Sequence, residues 1–224
     1  RVYNSSTTAI LGDITLANGN IAVLLPMSND TYNVVQAGAD GITGESVDNT
    51  AIFQATFNRN GKMYIPAGTY WIRTLTVSGG SRITGDGHEL SVIEKFPDTA
   101  GHVIYSPEEA GALDIYMYGF RIDGNRFSYS GGGIQDGIHI EGGTESSRGV
   151  IAYDVWVSTT TGDGWYIGPN RNASNIQYCY GLACGSLIAD STASSKGNGI
   201  QLDSHSDAFV GSASGFGSCK NRSI

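Results

Sequence analysis

Between Asp114 and Asp203 the chain alternates apolar and polar residues in short runs of two kinds. The first kind is Asp136-Gly137-Ile138-His139-Ile140-Glu141, Asp163-Gly164-Trp165-Tyr166-Ile167-Gly168 and Asn198-Gly199-Ile200-Gln201-Leu202-Asp203. Each reads polar turn residue, glycine, apolar, polar, apolar. The second kind falls between them: Ile115-Tyr116-Met117-Tyr118-Gly119-Phe120-Arg121-Ile122, Ile151-Ala152-Tyr153-Asp154-Val155-Trp156-Val157 and Ile176-Gln177-Tyr178-Cys179-Tyr180-Gly181-Leu182. A period of two marks strands. Paired short strands recurring at unequal steps, punctuated by Gly, Asp and Asn, predict stacked coils with loops of variable length.

Aligning the runs makes the prediction specific. Four inward ladders are apolar throughout: Phe120 over Val155, Ile122 over Val157, Ile138 over Trp165 over Ile200, and Ile140 over Ile167 over Leu202. Parallel strands need crossovers, and coils that return to the same sheet stack about 4.8 Å apart as a parallel β-helix. The outward rows follow from the same register. His139, Tyr166 and Gln201 form one, Glu141, Gly168 and Asp203 another, and Arg121 lies beside Trp156.

Upstream, residues 1–31 alternate weakly and read as an arm or linker of strands, either preceding the stack or packing on a neighbouring chain; 32–224 read as the β-helix domain. Ser46 to Phe57 predicts a helix. Ser46 can cap it, Asp48 suits its positive N-terminal end, Ala51, Ile52 and Ala55 with Phe53 and Phe57 form its apolar face, and Asn60-Gly61 stops it. A strand over Met63 to Ile72 follows. Past Asp203, Ala208-Phe209-Val210-Gly211 starts another coil, and the chain ends without a polar cap, which predicts further coils or a covering chain.

The segment Gly38-Ala39-Asp40-Gly41, the helix, and Tyr64-Ile65-Pro66-Ala67-Gly68-Thr69-Tyr70 together resemble the entry of the pectate-lyase-like, right-handed parallel β-helix superfamily. Ile83-Thr84-Gly85-Asp86-Gly87 and Ile122-Asp123-Gly124-Asn125 are similar to later parts of it. Val34-Val35-Gln36 departs from the Asp-aromatic-Gly usual there, and Glu45-Ser46-Val47-Asp48 from the usual paired acids. The resemblance implies an all-β, single-stranded parallel β-helix with three-sheet coils and an N-terminal helix that plugs its end. Members include lyases, hydrolases, epimerases and phage tailspikes, so the fold leaves function open.

Composition narrows the choice. Gly is 32 of 224 residues, about twice the usual 7%, while Pro is 5, which excludes collagen-like and proline-rich chains. A net charge of −8 without a basic run argues against nucleic acid and anionic membranes, and no apolar stretch reaches membrane-spanning length. Cys179, Cys184 and Cys219 lack metal spacing and read as small buried hydrophobes. Asn4-Ser5-Ser6 and Asn172-Ala173-Ser174 match a glycosylation pattern of use only in a secreted eukaryotic protein.

Candidate chemistry lies on the outward rows. Glu141 and Asp203, two coils apart, would stand about 9–10 Å from one another, near the roughly 6.5–9.5 Å of inverting glycosidases. They are the candidate catalytic pair; Trp156, Tyr166, His139, Arg121 and Gln201 are candidate substrate-binding residues. Asp203-Ser204-His205 is similar to the Asp-x-His of mannuronan epimerases, although no Lys or Arg stands near it to hold a substrate acid. Asp136, Asp163 and Asn198 read as turn formers, and His88 and His102 as solvated surface. No cofactor and no metal are expected. The resemblance is nearest to phage tailspikes and tail appendages: homotrimers on the virion tail, associated with other tail proteins, that bind and depolymerise host surface polysaccharide. The rivals are a secreted polysaccharide lyase or uronate epimerase, and a non-catalytic rod or adhesin.

Overall fold

The alternating runs become strands in a computed structural model, which describes residues 2–4, 14–15, 21–41, 47–97, 99–107, 114–128, 135–143, 148–169, 171, 174–182, 184, 199–202 and 208–210. Strands β1 (Val2–Asn4), β2 (Ile14–Thr15) and β3 (Ile21–Val23) form a small antiparallel sheet ordered β1-β3-β2. Then come β4 (Tyr32–Asn33), helices α1 (Val34–Ala37) and α2 (Thr50–Phe57), and β5 (Lys62–Ile65), β6 (Gly68–Ile72) and β7 (Leu75–Thr76). The following coils supply β8 (Arg82–Gly85), β9 (Ser91–Lys95), β10 (Ile104–Ser106), β11 (Ile115–Asp123) and β12 (Ile138–Ile140). The last strands are β13 (Val150–Ser158), β14 (Trp165–Ile167), β15 (Ser174–Gln177), β16 (Tyr180–Leu182), β17 (Ile200–Leu202) and β18 (Ala208–Val210).

Beyond the small sheet every strand pairing among the described residues is parallel, and the result is a parallel β-helix. One sheet, which we call face A, runs β7-β10-β12-β14-β17. The other, ten-stranded sheet runs β4-β5-β8-β11-β13-β15-β18, with β6, β9 and β16 alongside. Its long strands β11 and β13 bend midway, so the sheet presents two faces. Face B holds β4, β5, β8, the first halves of β11 and β13, β15 and β18; face C holds β6, β9, the second halves and β16. Gly119 makes the bend in β11 with a left-handed φ of 67°, a conformation that costs glycine nothing. At the same step in the next coil Asp154 adopts a φ of 54°, which Asp tolerates better than most residues.

Three expected ladders are present as written, fully inward: Phe120 pairs Val155, Ile122 pairs Val157, and Ile138, Trp165 and Ile200 stack in register. Ile140 and Ile167 are likewise buried, whereas Leu202 at the end of its ladder is half-buried. Coil-to-coil contact is tight beside them. A Cβ on Gly137 would meet Val157 Cγ1 at 2.1 Å and the Gly164 carbonyl at 2.9 Å, so only glycine fits there.

The helix differs in its start and its face. Its first residue is Thr50 and its N-cap is Asn49; the Ser46 cap lies outside the described residues. Asp48 acts where expected, accepting the Thr50 N–H at 3.0 Å and pairing with Arg73 at 2.6 Å. The buried residues are Phe53, Thr56 and Phe57, while Ala51 is exposed and Ile52 and Ala55 half-buried. Large rings outcompete small apolar side chains for the interior, and Phe53 packs on Tyr70 with ring centroids 5.5 Å apart. The strand expected over Met63 to Ile72 is two, β5 and β6, because Pro66-Ala67 turns the corner. Cys179 and Cys184 are buried free thiols, and burial pushes Cys179 up to about 12; Cys219 lies outside the described residues.

Candidate active site

Face A carries the outward row that the alternation predicts, and the row is longer than expected. Thr76, Tyr105, His139, Tyr166 and Gln201 follow one another in register across five coils. Ladder bonds continue into the corner before these strands. Val103 N–H donates to the Asp136 carbonyl and Gly137 N–H to the Asp163 carbonyl, which stacks His102, Asp136 and Asp163 beside the row.

Four ionisable side chains meet there. His139 Nδ1 lies 2.5 Å from Asp136 Oδ2, and His139 Nε2 lies 3.2 Å from Glu141 Oε1. His102 Nδ1 lies 3.1 Å from the same Asp136 oxygen and 3.2 Å from the Asp136 N–H. The His102 and His139 rings stack at 3.9 Å, Tyr166 covers His139 at 4.4 Å, and the Tyr105 ring lies 5.8 Å away. Asp136 is also held from below, its Oδ1 accepting the Asp163 N–H at 2.6 Å. Arg171, fully buried, donates from Nε to the Glu141 carbonyl at 2.9 Å and steadies that backbone.

The electrostatics follow from this contact set. Burial alone would push the Asp136 carboxyl up. Hydrogen bonds from both histidines, the His102 charge and the Asp163 N–H outweigh it and hold the carboxyl down at about 2. For His139 burial acts downward, but the bond to Asp136 and its charge, then Glu141, prevail, so the imidazole titrates above its ordinary value. A histidine with a carboxylate at each nitrogen is stabilised doubly protonated. His102 faces a choice: its one Nδ1 either accepts the Asp136 N–H or, protonated, donates to Asp136 Oδ2.

The linkage has opposite signs for the two partners. Asp136 contributes stability that is complete above its ordinary value of 3.8 and lost as pH falls towards about 2, an effect of about 2 kcal/mol. His139 contributes stability that is complete below 6.5 and lost as pH rises through its raised folded value. Calorimetric melting between pH 2 and 8 should therefore fall off on both sides. The acid side should flatten in Asp136→Asn; an unchanged acid side would mean that Asp136 is not ionised in the fold.

His102, Asp136 and His139 each offer a ligand atom within 4.8 Å of the others and could hold a metal ion. Their near-parallel rings, 24° apart, suit proton sharing through one carboxylate better than tetrahedral ligation.

The candidates read from the sequence divide. His139, Tyr166, Gln201 and Glu141 come together on face A. Asp203 and the Asp203-Ser204-His205 motif lie outside the described residues, as does Asn198. Gly168 opens no gap beside Glu141: a Cβ there would meet Gly142 N at 2.4 Å, because the coils touch. Arg121 and Trp156 do pair, on face C, but the faces of Trp156 are engaged by the protein. His88 stacks on it at 3.9 Å and 7°, and Tyr180 lies at 4.4 Å.

Three residues whose types suit a turn or the surface make ties between coils. Asp136 turns the chain and also anchors two imidazoles. His102 joins the cluster, and His88 Nδ1 lies 2.5 Å from Asp154. Ile104-Tyr105-Ser106 runs in register with Ile138-His139-Ile140, but a serine stands where the pattern asks for an apolar residue, which hides Tyr105 on the row and His102 at its corner.

The chain thus folds as a parallel β-helix that gathers two histidines and two carboxylates on one face. No protein-family profile and no curated protein matches the sequence. Among solved structures it is similar to the A-module of mannuronan C-5 epimerase AlgE6 of Azotobacter vinelandii, at 17% identity and a TM-score of 0.53 over 80% of this chain. It is also similar to the AlgE4 A-module of the same organism, at 18% identity and a TM-score of 0.52 over 81% of this chain. The match spans 57% and 70% of those modules.

Proposed function

We propose that this protein modifies polysaccharide by proton transfer, with Glu141 and His139 as the exchanging groups and Asp136 as the residue that positions His139. One observation carries the reading: His139 is held between two carboxylates in the middle of an outward row that spans about 19 Å at the usual strand spacing, a length suited to an extended sugar chain. Glu141 is the more open partner, its side chain 39% exposed against 15% for His139. Glu141 takes a proton from substrate, and the His139 imidazolium returns one to the ring or to a departing oxygen. Tyr105 and Tyr166 flank the reacting sugar, and Gln201 extends the row.

The epimerase likeness in fold favours proton removal beside a sugar carboxylate over simple hydrolysis. The test uses uronate and neutral polymers incubated with the protein in deuterated water. Deuterium on a ring carbon reports epimerisation, ultraviolet absorbance an unsaturated product, and new reducing ends hydrolysis. A protein that produces none of these on any polymer is not an enzyme of this class.

The tail-appendage assignment belongs to the same proposal as a question of assembly: a trimer resistant to dissociation in light scattering supports it, and a monomer removes it. We also propose that α2 closes the N-terminal end of the stack and that residues 1–31 form an arm outside it.

A further inference from the structure

Face B, away from the His139 row, carries the largest group of exposed aromatic residues described. Tyr116, Tyr118 and Tyr153 are 43%, 50% and 40% exposed, and Tyr178 at the adjoining bend is 44% exposed. Two outward rows run side by side there. Lys62, Arg82, Tyr116, Ile151 and Asn175 form one; Tyr64, Thr84, Tyr118, Tyr153 and Gln177 form the other. Between them lies a groove of about 240 Å³ lined by Arg82, Thr84, Tyr116, Tyr118, Ile151 and Tyr153.

The chemistry of this groove is specific. Tyr118 stacks on Tyr153 with centroids 5.4 Å apart and planes 8° apart, which covers one ring face. Its register neighbour on the other side is Thr84, too short to cover the second, so that face borders the groove. Arg82, in the next row of the same strand as Thr84, is exposed and makes no ion pair among the described residues, and neither does Lys62. A chain with net charge −8 therefore presents two uncompensated cations beside an open aromatic face. A guanidinium matches a carboxylate in two parallel hydrogen bonds, and an aromatic face packs against the apolar side of a sugar ring.

We infer that this groove is a second, non-catalytic binding site for an acidic glycan, with Arg82 taking a sugar carboxylate and Tyr118 and Tyr116 packing on the ring. The inference rests on the polysaccharide reading and narrows it to carboxylate-bearing chains. Two sites on different faces of one rod would keep a polymer attached while the His139 row acts on it.

The test is affinity electrophoresis of the whole chain in gels containing polygalacturonate, polymannuronate or dextran, run beside the isotope assay. The variants are Arg82→Gln, Tyr118→Ser and His139→Gln, with circular dichroism to show that each is folded. The expected result is retardation by an acidic polymer and not by dextran, weakened about tenfold by Arg82→Gln and Tyr118→Ser and kept by His139→Gln. Turnover of short oligosaccharides should be unchanged by Arg82→Gln. Retardation that Arg82→Gln leaves intact overturns the second site without touching the proposed activity. Retardation lost in Arg82→Gln, with no turnover by any variant or by the natural chain, upholds the site and overturns the activity. A dimer or trimer in light scattering that Tyr118→Ser returns to monomer makes the face an interface between copies, and overturns the glycan site.

Discussion

His139→Gln is expected to reduce turnover of the polymer substrate about 10²–10⁴-fold, the range for loss of a positioned acid or base. The substitution keeps the size of the side chain and much of its hydrogen bonding, so the chain should stay folded, with a melting temperature lowered by loss of the imidazole that steadies Asp136. The larger part of the loss should fall on kcat, because the proposed contacts from Tyr105, Tyr166 and Gln201 would remain. Asp136→Asn is the companion variant. It leaves the carbonyl to accept the Nδ1 proton of His139 but removes the charge that favours the imidazolium. The pH profile of turnover should then shift to lower pH, which a purely structural role for Asp136 would not produce. Full activity in His139→Gln would move the chemistry to another face.

Trp165→Ala is expected to be the most damaging single change to stability. The indole is fully buried between Ile138 and Ile200, and its Nε1–H reaches the Tyr180 carbonyl at 3.4 Å. Removing a large aromatic from such a position costs about 3–5 kcal/mol, and for a chain of this size lowers the melting temperature on the order of 10 °C. Trp165→Phe should recover most of the loss, since it refills the interior and gives up only a long hydrogen bond. Chemical denaturation of both variants checks the order. If Trp165→Ala melts with the natural chain, the ladder is not the core of the fold.

The interior was readable from the sequence because a strand's side chains alternate strictly. The glycine before each of Ile138, Trp165 and Ile200 marks their common register, and the partners follow from it without knowledge of any loop. The outward row of His139, Tyr166 and Gln201 came with them. The same marker is missing from the coil before it, where His102 and Tyr105 lie. Residues 96–103 carry no Asp-Gly marker, and His102 is placed beside Asp136 by a backbone ladder bond from Val103. Asp136 illustrates the second difficulty. Its residue type and position are those of a turn former, and it does turn the chain; its second role depends on two histidines from different coils. Helix α2 shows a third, because Ala51 and Ile52 fit an apolar face as well as Phe53 and Phe57 until the packing partner, Tyr70, is known.

The bend that joins faces B and C has a consequence for how such a protein diversifies. β11 and β13 pass through it without a break, and the other corners there are short, at 66–67, 86–90 and 178–179, so these two faces keep nearly the same length from coil to coil. Between the strands of face A and their neighbours the number of residues varies far more, from two between β6 and β7 to seventeen between β16 and β17. Length can therefore change between those strands while the ladders keep their register. His139 and its neighbours on face A are held by the ladders, and the connecting segments can be rewritten without moving them.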